Sequence, residues 1–163
     1  MQRELRRANH LMAVGDHLNA AEIFVSIANK ARDLGIVYPA PLLFLRAAHA
    51  YLLGEIFDSS IQQAKTGLSL LTDQERWAAL YDEGERYILS LDNADQKEMV
   101  QHLRAWLAER LQGRNVEMPP QAQLPEKCSY CGASMSMEQI DFAGGRAAEC
   151  HYCGSVVLPR SSP

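Results

Sequence analysis

All four cysteines of the chain fall in its last quarter, as Cys128-Ser-Tyr-Cys131 and Cys150-His-Tyr-Cys153, with 18 residues between the two pairs. Thiolates are soft ligands. Two C-x-x-C turns can set four of them at the corners of a tetrahedron, the geometry zinc accepts most readily. Gly132 and Gly154 each follow the second cysteine of a pair, where a residue without a side chain lets the backbone turn tightly and point amides at the sulfurs. Clustered pairs in a chain with no secretory leader pattern favour metal over a disulfide framework.

Two other chemistries use the same spacing. Iron in a two-knuckle redox centre usually sits in an aromatic-rich core, whereas Tyr130, Phe142 and Tyr152 are the only aromatics of this segment. A dithiol redox pair is the other. His151 lies between two cysteines and reads as a surface residue, since four sulfurs already complete the ligand set.

Over residues 126 to 158 the arrangement resembles the zinc-ribbon family. That resemblance implies a closed structural Zn(2+) site with Cys128, Cys131, Cys150 and Cys153 as ligands and no open position for substrate. So small a module buries little apolar surface, and metal binding would supply most of its folding free energy.

The elements that must carry these knuckles are short strands. The segments EQIDF and RAAEC flank Ala143-Gly144-Gly145, which is hairpin chemistry, and SVVL offers one more strand. Before them, residues 114–125, RNVEMPPQAQLP, hold three prolines and no periodicity, as a semi-extended linker would. The chain thus divides into a helical domain over 1–113, the linker, a zinc ribbon over 126–159 and a tail at 160–163.

The helical domain reads as six apolar stripes at helical spacing. They run through Leu5 and Ala8; Ala20, Phe24, Ile27 and Ala31; Phe44, Ala47 and Tyr51; Ile61, Ala64 and Leu68; Trp77, Leu80, Tyr81 and Leu91; and Val100, Leu103 and Leu107. Gly15-Asp16, Gly35, Gly54 and Gly113 mark ends, and Pro39 with Pro41 makes Ile36 to Pro41 a connector. Asp58 is expected as a helix N-cap, and Thr72 with Glu75 and Asn93 with Gln96 as capping boxes.

Gly15-Asp16 with Ala20, Phe24 and Ala28, and a second copy from Ala47 through Tyr51, Gly54, Ser60, Ala64 and Leu68, resemble a tetratricopeptide-type repeat, in which small residues let antiparallel helices approach. The likeness covers residues 1–71 well and 72–112 as a further helical pair. From Ala20 to Ser60 is 40 positions, longer than the ~34 of the standard repeat. A plain helical bundle is the alternative. The repeat reading implies a scaffold whose hairpins receive a partner protein and perform no chemistry.

Charge then sorts the function classes. The chain has 16 Lys and Arg against 20 Asp and Glu, a formal net charge of -4. Residues 126–158 carry Lys127 and Arg146 against Glu126, Glu138, Asp141 and Glu149, and a four-thiolate zinc centre adds about -2. Such a module repels phosphates, so a nucleic-acid-associated ribbon ranks second to a protein-interaction adaptor. Arg3, Arg6 and Arg7 are the one local basic cluster, with Glu4 among them.

The acidic run from Asp73 to Glu98 reads as a solvated face or, functionally, as a docking surface carried by Glu83 and Glu85. His10, His17, His49 and His102 lack paired groups at any catalytic spacing, and no nucleophile elbow or phosphate loop is present, so an enzyme or a small-molecule site is not expected. No stretch approaches the ~20 apolar residues that span a bilayer, which suggests a cytoplasmic protein.

Overall fold

A computed structural model describes residues 1–114, 116, 126–134, 141–142, 148–150 and 156–157. Six helices follow one another, α1 (Gln2–Ala13), α2 (His17–Asp33), α3 (Ala40–Leu53), α4 (Phe57–Asp73), α5 (Trp77–Asn93) and α6 (Lys97–Leu111). Each packs against the next, and α3 also meets α5. After them come three two-residue strands, β1 (Asp141–Phe142), β2 (Ala148–Glu149) and β3 (Val156–Val157), paired antiparallel in the order β1-β2-β3.

The helices obey a 20-residue register that the sequence reading saw only as the 40-position step from Ala20 to Ser60. Positions 20, 40, 60, 80 and 100 are all buried, as Ala20, Ala40, Ser60, Leu80 and Val100. So are Ala8, Ala28, Ala48, Leu68 and Ile88, and likewise Ile27, Ala47, Gly67, Tyr87 and Leu107.

The turns keep the count. Gly15, Gly35, Glu55, Glu75 and Asp95 each have positive φ, between 54° and 82°. The next amide in each case donates to the carbonyl five residues back, as Asp16 to Leu11, Ile36 to Ala31, Ile56 to Tyr51, Arg76 to Leu71 and Gln96 to Leu91, at 2.8–2.9 Å. This is the six-to-one bond of a Schellman cap, which satisfies a carbonyl the helix end would otherwise orphan.

The cap geometry corrects several expectations. Asp16 does cap α2, accepting from the amide of Asn19 at 3.4 Å, but α4 starts from Ile56 without a side-chain cap, and Asp58 lies in its first turn. Thr72 belongs to the end of α4, where its hydroxyl donates to the Leu68 carbonyl at 3.1 Å, and α5 starts from Arg76. Asn93 likewise ends α5, and α6 starts from Gln96. A hydroxyl or amide side chain three residues before a Glu or Gln reads as a box only if the helix starts there, and here the starts lie four residues beyond Thr72, at Arg76, and three beyond Asn93, at Gln96. Gly54 is the C-cap at φ -84° while Glu55 takes the left-handed place. Pro41 is inside α3, at its first turn, where a missing amide costs nothing.

Two cores share α3. Leu43, Phe44, Ala47 and Ala50 join Leu5, Ala8, Phe24, Ile27 and Ala28 of α1 and α2. Leu42, Leu45, Ala48 and Leu52 join Ala64, Leu68, Leu80, Ile88, Leu91, Leu103 and Leu107 of α4 to α6. A helix apolar all round is one buried on both sides. Close approach at the α3–α4 crossing requires Gly67, since a Cβ there would lie 2.7 Å from the Pro41 carbonyl oxygen and 2.9 Å from Leu45.

Two buried hydroxyls tie the array together. The Ser60 hydroxyl donates to the Ala48 carbonyl at 2.6 Å and lies 2.6 Å from the Tyr87 hydroxyl, tying α3, α4 and α5. Burial pushes the Tyr87 phenol up to about 12, against the smaller opposing effect of the Ser60 hydrogen bond. Arg76 spans two turns, its guanidinium 4.2 Å over the Tyr38 ring and donating to the Tyr38 carbonyl at 3.2 Å.

Candidate metal centre

The first knuckle is built by local backbone. An isolated bridge pairs Lys127 with Ser134, the Cys128 amide donates to the Ala133 carbonyl at 2.8 Å, and the Gly132 amide returns to the Cys128 carbonyl at 2.9 Å. Gly132 takes φ +72°, the left-handed turn that its place after Cys131 foreshadowed. The Tyr130 amide points at the Cys128 sulfur at 3.4 Å. An amide directed at a thiolate spreads its negative charge and fixes its orientation.

Cys150 directly follows β2 and brings its sulfur to 3.7 Å from that of Cys131. The sulfurs of Cys128, Cys131 and Cys150 all lie within 4.8 Å of one another. Four sulfurs at about 2.3 Å from a tetrahedral zinc stand about 3.8 Å apart, so the Cys131–Cys150 edge already has the length of a tetrahedron's edge. It is far longer than the ~2.05 Å of a disulfide. Cys128 and Cys150 are buried with Val157, Ala133 packs against them, and Cys131 reaches the surface.

Three of the four expected ligands are therefore close enough to share one metal ion. Cys153 and His151, with the rest of the second knuckle, lie outside the described residues. So does most of the 114–125 linker.

The acidic run is not the uniform face that its composition suggests. Glu83 is only 7% exposed and points inward from α5, 3.5 Å from Arg86, while Glu85 is exposed. The electrostatic influence of Glu83 partly offsets the lowering that burial imposes on Arg76. Its spacing betrays this, because Leu80, Glu83, Tyr87 and Leu91 share the buried side of α5. Tyr81, expected in the core, is 41% exposed.

What the sequence reading missed lies on α1. Glu4 leaves the arginines and turns toward α2, where it accepts from Lys30 at 2.7 Å and pairs with the chain's amino group at 3.2 Å. Those cations hold its carboxyl below the ordinary carboxylate range. No helix among the described residues is long and apolar enough to cross a membrane. No family model matches the chain, and no curated protein or solved structure aligns with it significantly.

Proposed function

We propose that the chain is a non-enzymatic interaction adaptor, whose tetratricopeptide-like helical hairpins hold a partner protein and whose zinc-stapled ribbon gives a second contact. The observation that carries the reading is the all-sulfur cluster of Cys128, Cys131 and Cys150. With Cys153 as fourth ligand the metal has no vacancy for substrate, and its role is to fold the segment that holds it.

Zinc is favoured over iron by the scarcity of aromatics around the sulfurs. The 20-residue register supports stacked hairpins, because α2 to α5 bury the same positions against their neighbours and leave the others for a partner. The 40-residue hairpin departs from the ~34 of the standard repeat, so any partner surface belongs to a longer-helix variant of that scheme.

Affinity purification from the native cell, with metal analysis of the same sample, tests both halves. A stoichiometric protein partner and about one zinc per chain are expected, in a colourless preparation. Visible iron absorbance, metal retained after Cys128→Ser and Cys150→Ser, or nucleic acid as the stoichiometric companion would overturn the reading.

A further inference from the structure

With Glu4 diverted to Lys30, α1 shows solvent an uninterrupted cationic face. At about 100° per residue, Arg3, Arg6, Arg7 and His10 occupy an arc of about 100° centred opposite buried Leu5 and Ala8. All four are exposed, and their side chains make no hydrogen bond or ion pair among the described residues. Val14, 61% exposed, closes the C-terminal end of the same arc.

The complementary surface lies on α5. Tyr81, Glu85, Leu89 and Asp92 are exposed within a similar arc on the side away from Leu80, Gly84 and Leu91. Leu89 is 61% exposed and Tyr81 41%, so the stripe is acidic and apolar together. Asp82 at its border is already paired with Arg86 at 3.0 Å.

We infer that the α1 face of one molecule docks on the α5 face of a second copy. Guanidinium groups would meet Glu85 and Asp92, arginine stems would cover Leu89 and the Tyr81 ring, and Val14 would add an apolar end. Because the two faces differ, the contact is heterologous and propagates head to tail rather than closing a two-fold dimer. A single helix-on-helix contact is smaller than the ~1,200 Å² of stable complexes, so the association is weak and salt-dependent. It uses a surface distinct from the cysteine cluster and does not depend on the adaptor reading.

The test is sedimentation velocity on the full metal-loaded chain over a concentration series. At about 0.01 M salt, where charges act over about 30 Å, mass-average size should rise about twofold or more without a plateau at dimer, and at about 0.15 M it should fall back toward monomer. An R3E/R6E/R7E variant and an E85R/D92R variant should each be monomeric alone. Mixed together they should associate again, since each then supplies the face the other lacks, and circular dichroism should show both natively helical. A parent chain that stays monomeric at low salt, or a mixture that does not associate, overturns the inference. So does binding of a single-stranded RNA probe that is lost in R3E/R6E/R7E while self-association is absent.

Discussion

Three of the five left-handed turn positions are held by residues that pay for the geometry. Glu55, Glu75 and Asp95 sit at φ 59°, 54° and 58°, where an L side chain costs roughly 1–2 kcal/mol. Glycine removes that strain but loosens the unfolded chain, which returns about 0.4–1 kcal/mol. The expected net gain is about 0.5–1 kcal/mol at each glutamate, and less at Asp95, because short polar side chains tolerate the region better. Among the described residues no side-chain bond holds Glu55 or Glu75 there, and the exposed Asp95–Lys97 pair at 3.1 Å contributes little. The three sites occupy separate turns, so their effects should add. The triple glycine variant is expected to gain about 1–2.5 kcal/mol, read as a higher urea midpoint at unchanged slope. Melting should rise by roughly 4–8 °C per kcal/mol for a domain of about 100 residues. Gly15→Ala and Gly35→Ala supply the reverse experiment. Nothing lies within 4 Å of a Cβ at either position, so any loss, expected near 1 kcal/mol, comes from backbone strain alone. If the glycine variants lose stability while the alanine variants are neutral, the Schellman reading of the 20-residue register is wrong.

At the α3–α4 crossing, Gly67→Ala should cost about 2 kcal/mol or more in chemical denaturation, because its Cβ meets the Pro41 backbone oxygen at 2.7 Å. Gly84→Ala meets only the movable end of Leu107 at 2.8 Å and should be near neutral, since alanine's helix propensity offsets the crowding by about 1 kcal/mol. Ser60→Ala leaves the buried Tyr87 hydroxyl without its acceptor and should cost about 1–3 kcal/mol, with Tyr87→Phe partly rescuing the loss in a double-mutant cycle. The phenol is raised to about 12 in the fold from an unfolded value near 10. Its contribution is therefore complete below pH 10 and fades as pH climbs from about 10 to 12, and a Tyr87→Phe denaturation series should flatten that alkaline decline. Chelation of the purified chain should release the metal and abolish the β pairing seen by NMR at Asp141–Phe142 and Ala148–Glu149, with re-addition of zinc restoring it.

The order of six helices was legible because apolar residues at helical spacing report which side of a helix is buried without any partner being known. The turn at Cys128 was equally legible, since two cysteines three residues apart and a following glycine define it locally. Helix starts were not. Thr72 with Glu75 and Asn93 with Gln96 carry the local chemistry of a cap, yet the preceding helix runs through Thr72 and Asn93, and a Schellman turn fixes where the next begins. Local side-chain preference contributes about 1 kcal/mol, less than the packing that sets the 20-residue count.

Tertiary structure also decided what each charge faces. Glu83 and Glu85 belong to one acidic run, but the rotation of α5 buries the first beside Arg86 and leaves the second in solvent. Glu4 stands among Arg3, Arg6 and Arg7 in the chain, yet its partner is Lys30, brought alongside by the packing of α1 on α2. For the cysteines, spacing alone marked the four candidates, while only the chain's return through β2 to Cys150 brought a third sulfur within reach of the first knuckle. The paired spacing of the cysteines pointed to an assembly across 19 residues, but where nothing in the chain repeats a motif, as for Glu4 with Lys30 or Ser60 with Tyr87, the pairing waited on the fold, because sequence separation says nothing about which faces meet.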